Sequence, residues 1–213
     1  MFRTLIFLLI ESLSFFIVFR MTIKTDKDYA SLKIGRSEIV LISLEILLSS
    51  FVLYNLRQNI VYGVFVAFTL SLLLSAAILD KATTLIPDWV YYFSALFFVP
   101  IVIIEYVNGD GYSAMLIVEA VLFVILQLFA FSRTFGFSDA LAYSAFGLLC
   151  FSLKLGWETM MTGMILSYLF LIVFQLIRRN ITKKLKLRKP VPFIPYIFAS
   201  YCLVIGFALF MMG

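Results

Sequence analysis

Two aspartates stand at the edges of hydrophobic runs: Asp80 in LDKATTLIPDWVYY (79–92) and Asp139 in FGFSDALAYSAFG (135–147). An acid in or near membrane hydrocarbon costs about 2.5 kcal/mol or more and is usually paired or functional. Two carboxylates held close together cannot both ionise easily, so one keeps a proton near neutral pH and an acid stands beside a base. Such a pair can hydrolyse a peptide with neither a metal nor a covalent nucleophile. The ionised Asp takes a proton from water; the protonated Asp polarises the scissile carbonyl and then helps the amine leave. Asp88 has a simpler explanation. Pro87 suits the first position of a helix, which places Asp88 in the first turn, where an acid stabilises the helix start. Gly136, three residues before Asp139, lets the backbone approach closely. Glu11, Glu45 and Glu119 lie inside other apolar runs and offer a different chemistry, proton carriage.

The elements that must position these groups are transmembrane helices. The chain has 213 residues, 63% hydrophobic and 14% charged, against roughly 45–50% apolar and about 25% charged for a soluble domain. Its apolar runs are continuous rather than alternating, which favours helices over a barrel. At about 20 residues per crossing, the sequence predicts an all-α bundle of about eight spans. They are placed at 4–20, 38–54, 58–79, 87–105, 113–132, 139–154, 159–177 and 193–212, forming a single membrane-embedded domain over 1–213. The first run has the basic start of a signal peptide, but it carries Glu11 and no small-x-small cleavage site, so it is read as a helix.

Lysine and arginine orient the bundle. The segments after spans one, three, five and seven hold Arg20, Lys24, Lys27, Lys33, Arg36, Lys81, Arg133, Arg178, Arg179, Lys183, Lys184, Lys186, Arg188 and Lys189, or 14 of the 17. The positive-inside rule puts these in the cytoplasm and both termini outside. Asp80 then ends an inward-running span and Asp139 begins an outward-running one, so both are expected at the cytoplasmic face at similar depth. The net charge of +5 reads as this topology signal plus attraction to anionic lipid. Nucleic acid is not an expected partner, because the basic stretch 178–189 has no aromatic residue on which to stack a base.

Composition also excludes several chemistries. The chain has no histidine, which removes HExxH metalloproteases, Ser-His proteases and histidine proton relays. Cys150 and Cys202 lie far apart inside apolar runs and form no CxxC pair, so a zinc ribbon is not expected and no metal is assigned.

Taken in order, these stretches resemble the bacterial type IV prepilin peptidases, the GxGD aspartyl proteases of membranes. In that family the first aspartate precedes a short polar stretch and IPD or IPN; here Asp80 is followed by LIPDW (85–89), with Pro87 and Asp88. The second lies in GxGD before an apolar run ending in Gly; here this is GFSDALAYSAFG, with Gly136, Ser138, Asp139 and Gly147. The family's PFGPFLA compares with PFIPYIFA (192–199), which contains Pro192 and Pro195. GSFLNVVIYR compares with ESLSFFIVFR (11–20), and PLVELL with ISLEIL (42–47), matching Glu45.

The resemblance implies Asp80 and Asp139 as the catalytic dyad. It implies a prepilin or competence pseudopilin substrate with a short basic leader, cut on the cytoplasmic side of a bacterial cell membrane. Three features depart from the family pattern. Ser138 replaces the second Gly of GxGD, Leu141 stands where many members have Lys, and the loop after span one shrinks to roughly residues 21–37 without cysteine, as in Gram-positive competence peptidases. Proteolysis needs no cofactor. S-adenosylmethionine enters only if the family's N-methyltransferase activity survives the shortened loop. The rival expectations are a small proton-coupled transporter using Glu11, Glu45 or Glu119, and a catalytically inactive pilin-assembly factor.

Overall fold

A computed structural model describes residues 2–25, 35–56, 60–84, 86–107, 111–131, 133, 136–182 and 191–212. Among these residues every regular element is a helix. They are α1 (Phe2–Thr25), α2 (Arg36–Asn55), α3 (Ile60–Thr83), α4 (Trp89–Val107), α5 (Gly111–Leu126), a π-helical turn (Gln127–Phe131), α6 (Phe137–Ser152), α7 (Trp157–Thr182) and α8 (Ile194–Met211). Four are long and apolar enough to cross a membrane: Phe2–Lys24, Ile60–Thr83, Trp157–Arg178 and Ile194–Met211. Shorter apolar helices cover Ile39–Asn55, Ala114–Ala130 and Phe137–Ser152. The chain is thus a helical protein with the character of a membrane protein.

The bundle is built around α3. In its most apolar stretch 72% of the residues are buried inside the protein, against 28% for α1 and 17% for α7. The outer faces of α1 and α7 stay apolar, with Leu5, Leu9, Leu13, Ile165, Leu169 and Ile172 exposed, as expected of surfaces solvated by lipid. Helix α3 packs against α1, α2, α4, α6 and α8. Small residues allow close approach: the Phe7 ring of α1 lies where a Cβ on Gly63 would be. A second aromatic core joins α6, α7 and α8. Phe146 stacks on Tyr201 with ring centroids 4.8 Å apart, and Tyr201 donates its hydroxyl proton to the Met160 carbonyl at 2.7 Å.

The helix ends differ from the sequence expectation where the acids sit. Helix α3 continues to Thr83 instead of stopping at 79, so Asp80 lies inside the last turn of a helix. Helix α6 starts at Phe137 rather than 139, so Asp139 lies in the first turn. Each acid is tolerated within a helix, so neither ends one. Helix α4 begins at Trp89, and the Asp88 carbonyl accepts the first helical bond, from Tyr92 N–H at 3.2 Å. Asp88 is therefore the N-cap residue and Pro87 precedes it, two positions out from the expectation. The fifth run changes from α-helix to a π turn at Gln127–Phe131.

Candidate active site

Asp80 is held by the start of α8. The Ile194 N–H donates to Asp80 Oδ2 at 2.9 Å, across 114 residues of sequence, and the Phe193 amide also acts on this carboxylate. The PFIP segment explains the arrangement. A helix start leaves its first N–H groups without helical acceptors. Pro195 has no N–H to offer, while Tyr196 and Ile197 both donate to the Phe193 carbonyl, at 3.0 and 3.3 Å. Ile194 is left to donate to an outside acceptor, and Asp80 fills that role where the helix dipole favours negative charge. Asp80 is only 7% exposed. Its neighbour Ile194 is fully buried, Pro195 is buried, and Pro192 lies just before the helix, partly exposed.

Asp139 reaches the same region from α6. Gly136 sits at the N-cap with φ 123° and ψ 150°, a conformation essentially reserved for glycine. The turn it makes starts α6 three residues before Asp139. Asp139 lies close enough to Asp80 to feel the charge of its carboxylate. Ser138, in place of the family's glycine, occupies a partly exposed helical position. The side chain at this position does not prevent α6 from forming.

Aromatic residues wall the pair. Tyr143, one turn after Asp139, and Tyr168 of α7 both lie within electrostatic range of Asp139. The Phe193 ring packs edge-on to Tyr143 at 6.1 Å and against Tyr168 at 5.1 Å. These rings fasten the α8 start, which holds Asp80, to the helix that carries Asp139. The sequence reading did not single out Tyr143, Ser167, Tyr168 or Phe193. Tyr143 stands four residues after Asp139, at the spacing of one helical face, and was the one with a sequence signal.

The other acids go elsewhere. Asp88 is exposed at the start of α4. Glu119 Oε2 accepts the Trp157 N–H at 3.0 Å and so caps α7. Glu11 and Glu45 are each 1% exposed, near the middles of α1 and α2. Neither carboxylate has a hydrogen-bond partner among the described residues. Glu11 approaches Ser49, whose hydroxyl donates to the Ile46 carbonyl at 3.0 Å. Glu45 lies within electrostatic range of Lys81, and both glutamates act on the buried Cys202.

Among the described residues no three His, Cys, Asp or Glu side chains gather at one point. Most of the basic stretch 178–189, and residues 26–34 of the loop considered for S-adenosylmethionine, lie outside the described residues. Comparison of the chain with protein-family models, with curated proteins and with solved structures returned no match.

Proposed function

We propose that the chain is an intramembrane aspartyl endopeptidase that removes the short basic leader of type IV prepilins or competence pseudopilins. The observation that carries this reading is the meeting of three sequence-distant segments: the end of α3 with Asp80, the start of α6 with Asp139, and the PFIP start of α8 that binds Asp80. Two carboxylates within electrostatic range, largely sheltered from water, are what acid–base hydrolysis of a peptide requires. Under this reading the bundle crosses a bacterial plasma membrane about eight times, with both termini outside and the dyad at the cytoplasmic edge. Substrate backbone there is still extended and open to attack; inside a helix it is not. Proteolysis proceeds without a cofactor, and methyl transfer from S-adenosylmethionine is not part of the proposal.

The test is cleavage of a single-span precursor with a basic leader in membranes containing wild type, Asp80→Asn, Asp139→Asn or Asp88→Asn. Loss of processing with the first two changes and retention with the third supports the reading. Equal cleavage without either Asp80 or Asp139 sinks it.

A second reading, proton-coupled transport, draws on Glu11 and Glu45, two deeply buried acids with no hydrogen-bond partner among the described residues. It predicts proton uptake into liposomes that disappears with Glu45→Gln and survives Asp139→Asn. Glu119 does not join them, because it caps α7.

A further inference from the structure

Helices α1, α3 and α4 enclose a cleft of about 420 Å³ that the two aspartates do not line. Buried Ser14, Val18 and Leu72 form its floor, and Trp89 stands on its α4 wall. Its rim is made by Ile17, Met21 and Phe93, all exposed. The cleft therefore opens sideways, onto the apolar outer face of α1. None of the described side chains that line it is charged. An apolar cavity of about 150 Å³ already stays dry and takes up small hydrocarbons. This cleft is larger and open to the side, and hydrocarbon rather than water suits it.

The same residues fix its level in the bundle. Helices α1 and α3 run parallel: Phe7 meets Gly63 near their starts, and Val18 and Leu72 share the cleft further on. Helix α4 begins shortly after α3 ends. The cleft thus lies toward the end of the bundle where α1 and α3 finish. From Ser14 to Met21 it extends about 10 Å along α1, at 1.5 Å per residue. Charge lies one turn further out. Lys24 follows Met21 by three residues and Ile17 by seven, on the same helix face, and Arg20 follows Ile17 by three. Both cations are exposed. On the α4 side exposed Asp88 precedes Trp89, an acid against two cations.

We propose that this cleft binds one anionic phospholipid of the surrounding bilayer, with the upper part of an acyl chain between α1, α3 and α4 and the phosphate at Arg20 and Lys24. The uncharged lining lets a chain enter from the side without stripping water from polar groups. Trp89 and Phe93 pack edge-on at 5.8 Å near the level of the cations, and tryptophan favours the membrane–water interface. The cations stand where a headgroup meets the protein, one turn beyond the apolar lining, and attract negative lipid. A spanning peptide helix suits the cleft less. It is about 10–12 Å across with a pitch of about 5.4 Å, so about 420 Å³ takes roughly one turn of it. A basic leader would also meet Arg20 and Lys24 with like charge. The site is separate from the proposed catalytic pair and does not depend on the peptidase reading.

The test uses the full chain in phosphatidylcholine bilayers with one tryptophan as reporter. The chain has two tryptophans. Trp157→Phe leaves Trp89 alone, keeps the backbone N–H that Glu119 accepts, and keeps an aromatic ring against Phe123. Quenching of Trp89 fluorescence is followed against the mole fraction of phosphatidylglycerol or phosphatidylcholine brominated on the acyl chains. Brominated phosphatidylglycerol is expected to reach half-maximal quenching at about tenfold lower mole fraction, the scale of one to two basic residues facing an anionic lipid. Arg20→Ala combined with Lys24→Ala is expected to bring the two lipids within about twofold, with the thermal midpoint unchanged because both positions are exposed. Ser14→Phe, whose ring fills the floor of the cleft, is expected to abolish the preference as well. Equal quenching by the two lipids before these changes overturns the proposal, and so does a preference that survives either of them. Relief of quenching by an added single-span precursor, or by raising the protein density in the bilayer, gives the cleft to a substrate helix or to a second copy of the chain and overturns it too.

Discussion

Two pairs of acids occupy this bundle, and their surroundings differ. Asp80 and Asp139 lie at one end, where α3 finishes and α6 and α8 begin. Helix ends supply unpaired amides, and one of these binds Asp80. Glu11 and Glu45 lie near the middles of α1 and α2, where every backbone amide is already used within the helix, and their oxygens find no hydrogen-bond donor among the described residues. A carboxylate in a helix-rich interior can be stabilised as an anion only where a helix terminates or a side-chain donor is supplied. The end of the bundle is thus suited to acid–base chemistry. The middle offers its acids no such donor.

Substitutions sharpen this contrast, beginning with the largest expected effect. Under the proposed peptidase reading, Asp80→Asn and Asp139→Asn should each reduce leader cleavage by about 10²–10⁴-fold, the usual share of a positioned acid or base, measured as single-turnover rates in membranes. A loss below tenfold for either would remove that residue from the chemistry. Gly136→Ala should cost about 1–3 kcal/mol, because the new side chain must adopt φ 123°. Cleavage should also fall by about tenfold or more as Asp139 shifts. Full activity with an unchanged thermal midpoint would show that α6 can start another way.

Glu119→Ala removes the acceptor of the Trp157 N–H and should destabilise by about 1 kcal/mol, as loss of a helix cap does, with cleavage unaffected. A cleavage defect at matched stability would tie this end of α7 to the site. Glu11→Gln and Glu45→Gln should leave stability within about 0.5 kcal/mol and cleavage within about twofold, since neither carboxyl makes a hydrogen bond among the described residues and the amide has the same shape. Loss of cleavage in either would merge the two acid pairs into one functional unit and erase the comparison. Asp88→Asn should change least, by a few tenths of a kcal/mol, because Asn is as good an N-cap as Asp.

The helical fold was legible because long apolar runs have one stable form in hydrocarbon, the α-helix, and their order along the chain matches the order of the observed helices. The ends were less legible. Hydropathy stops a helix at a charge, so Asp80 was placed at an edge. The helix runs on to Thr83 because the donor that makes Asp80 tolerable comes from residue 194, which no local window includes. Asp139 likewise falls inside α6, because the break is made by the backbone of Gly136.

The sequence by itself determined that this protein is apolar, helical and without histidine, and that its aspartates and its PFIP segment stand in a suggestive order. Only the tertiary structure decided that Ile194 binds Asp80, that Tyr143 and Tyr168 come within electrostatic range of Asp139, and that Glu119 caps a helix while Glu11 and Glu45 stay without partners among the described residues. The physical reason is range. Hydrophobic periodicity is set by neighbours a few residues apart, whereas the partner of a buried polar group is whichever donor or acceptor packing brings to it, from any distance along the chain.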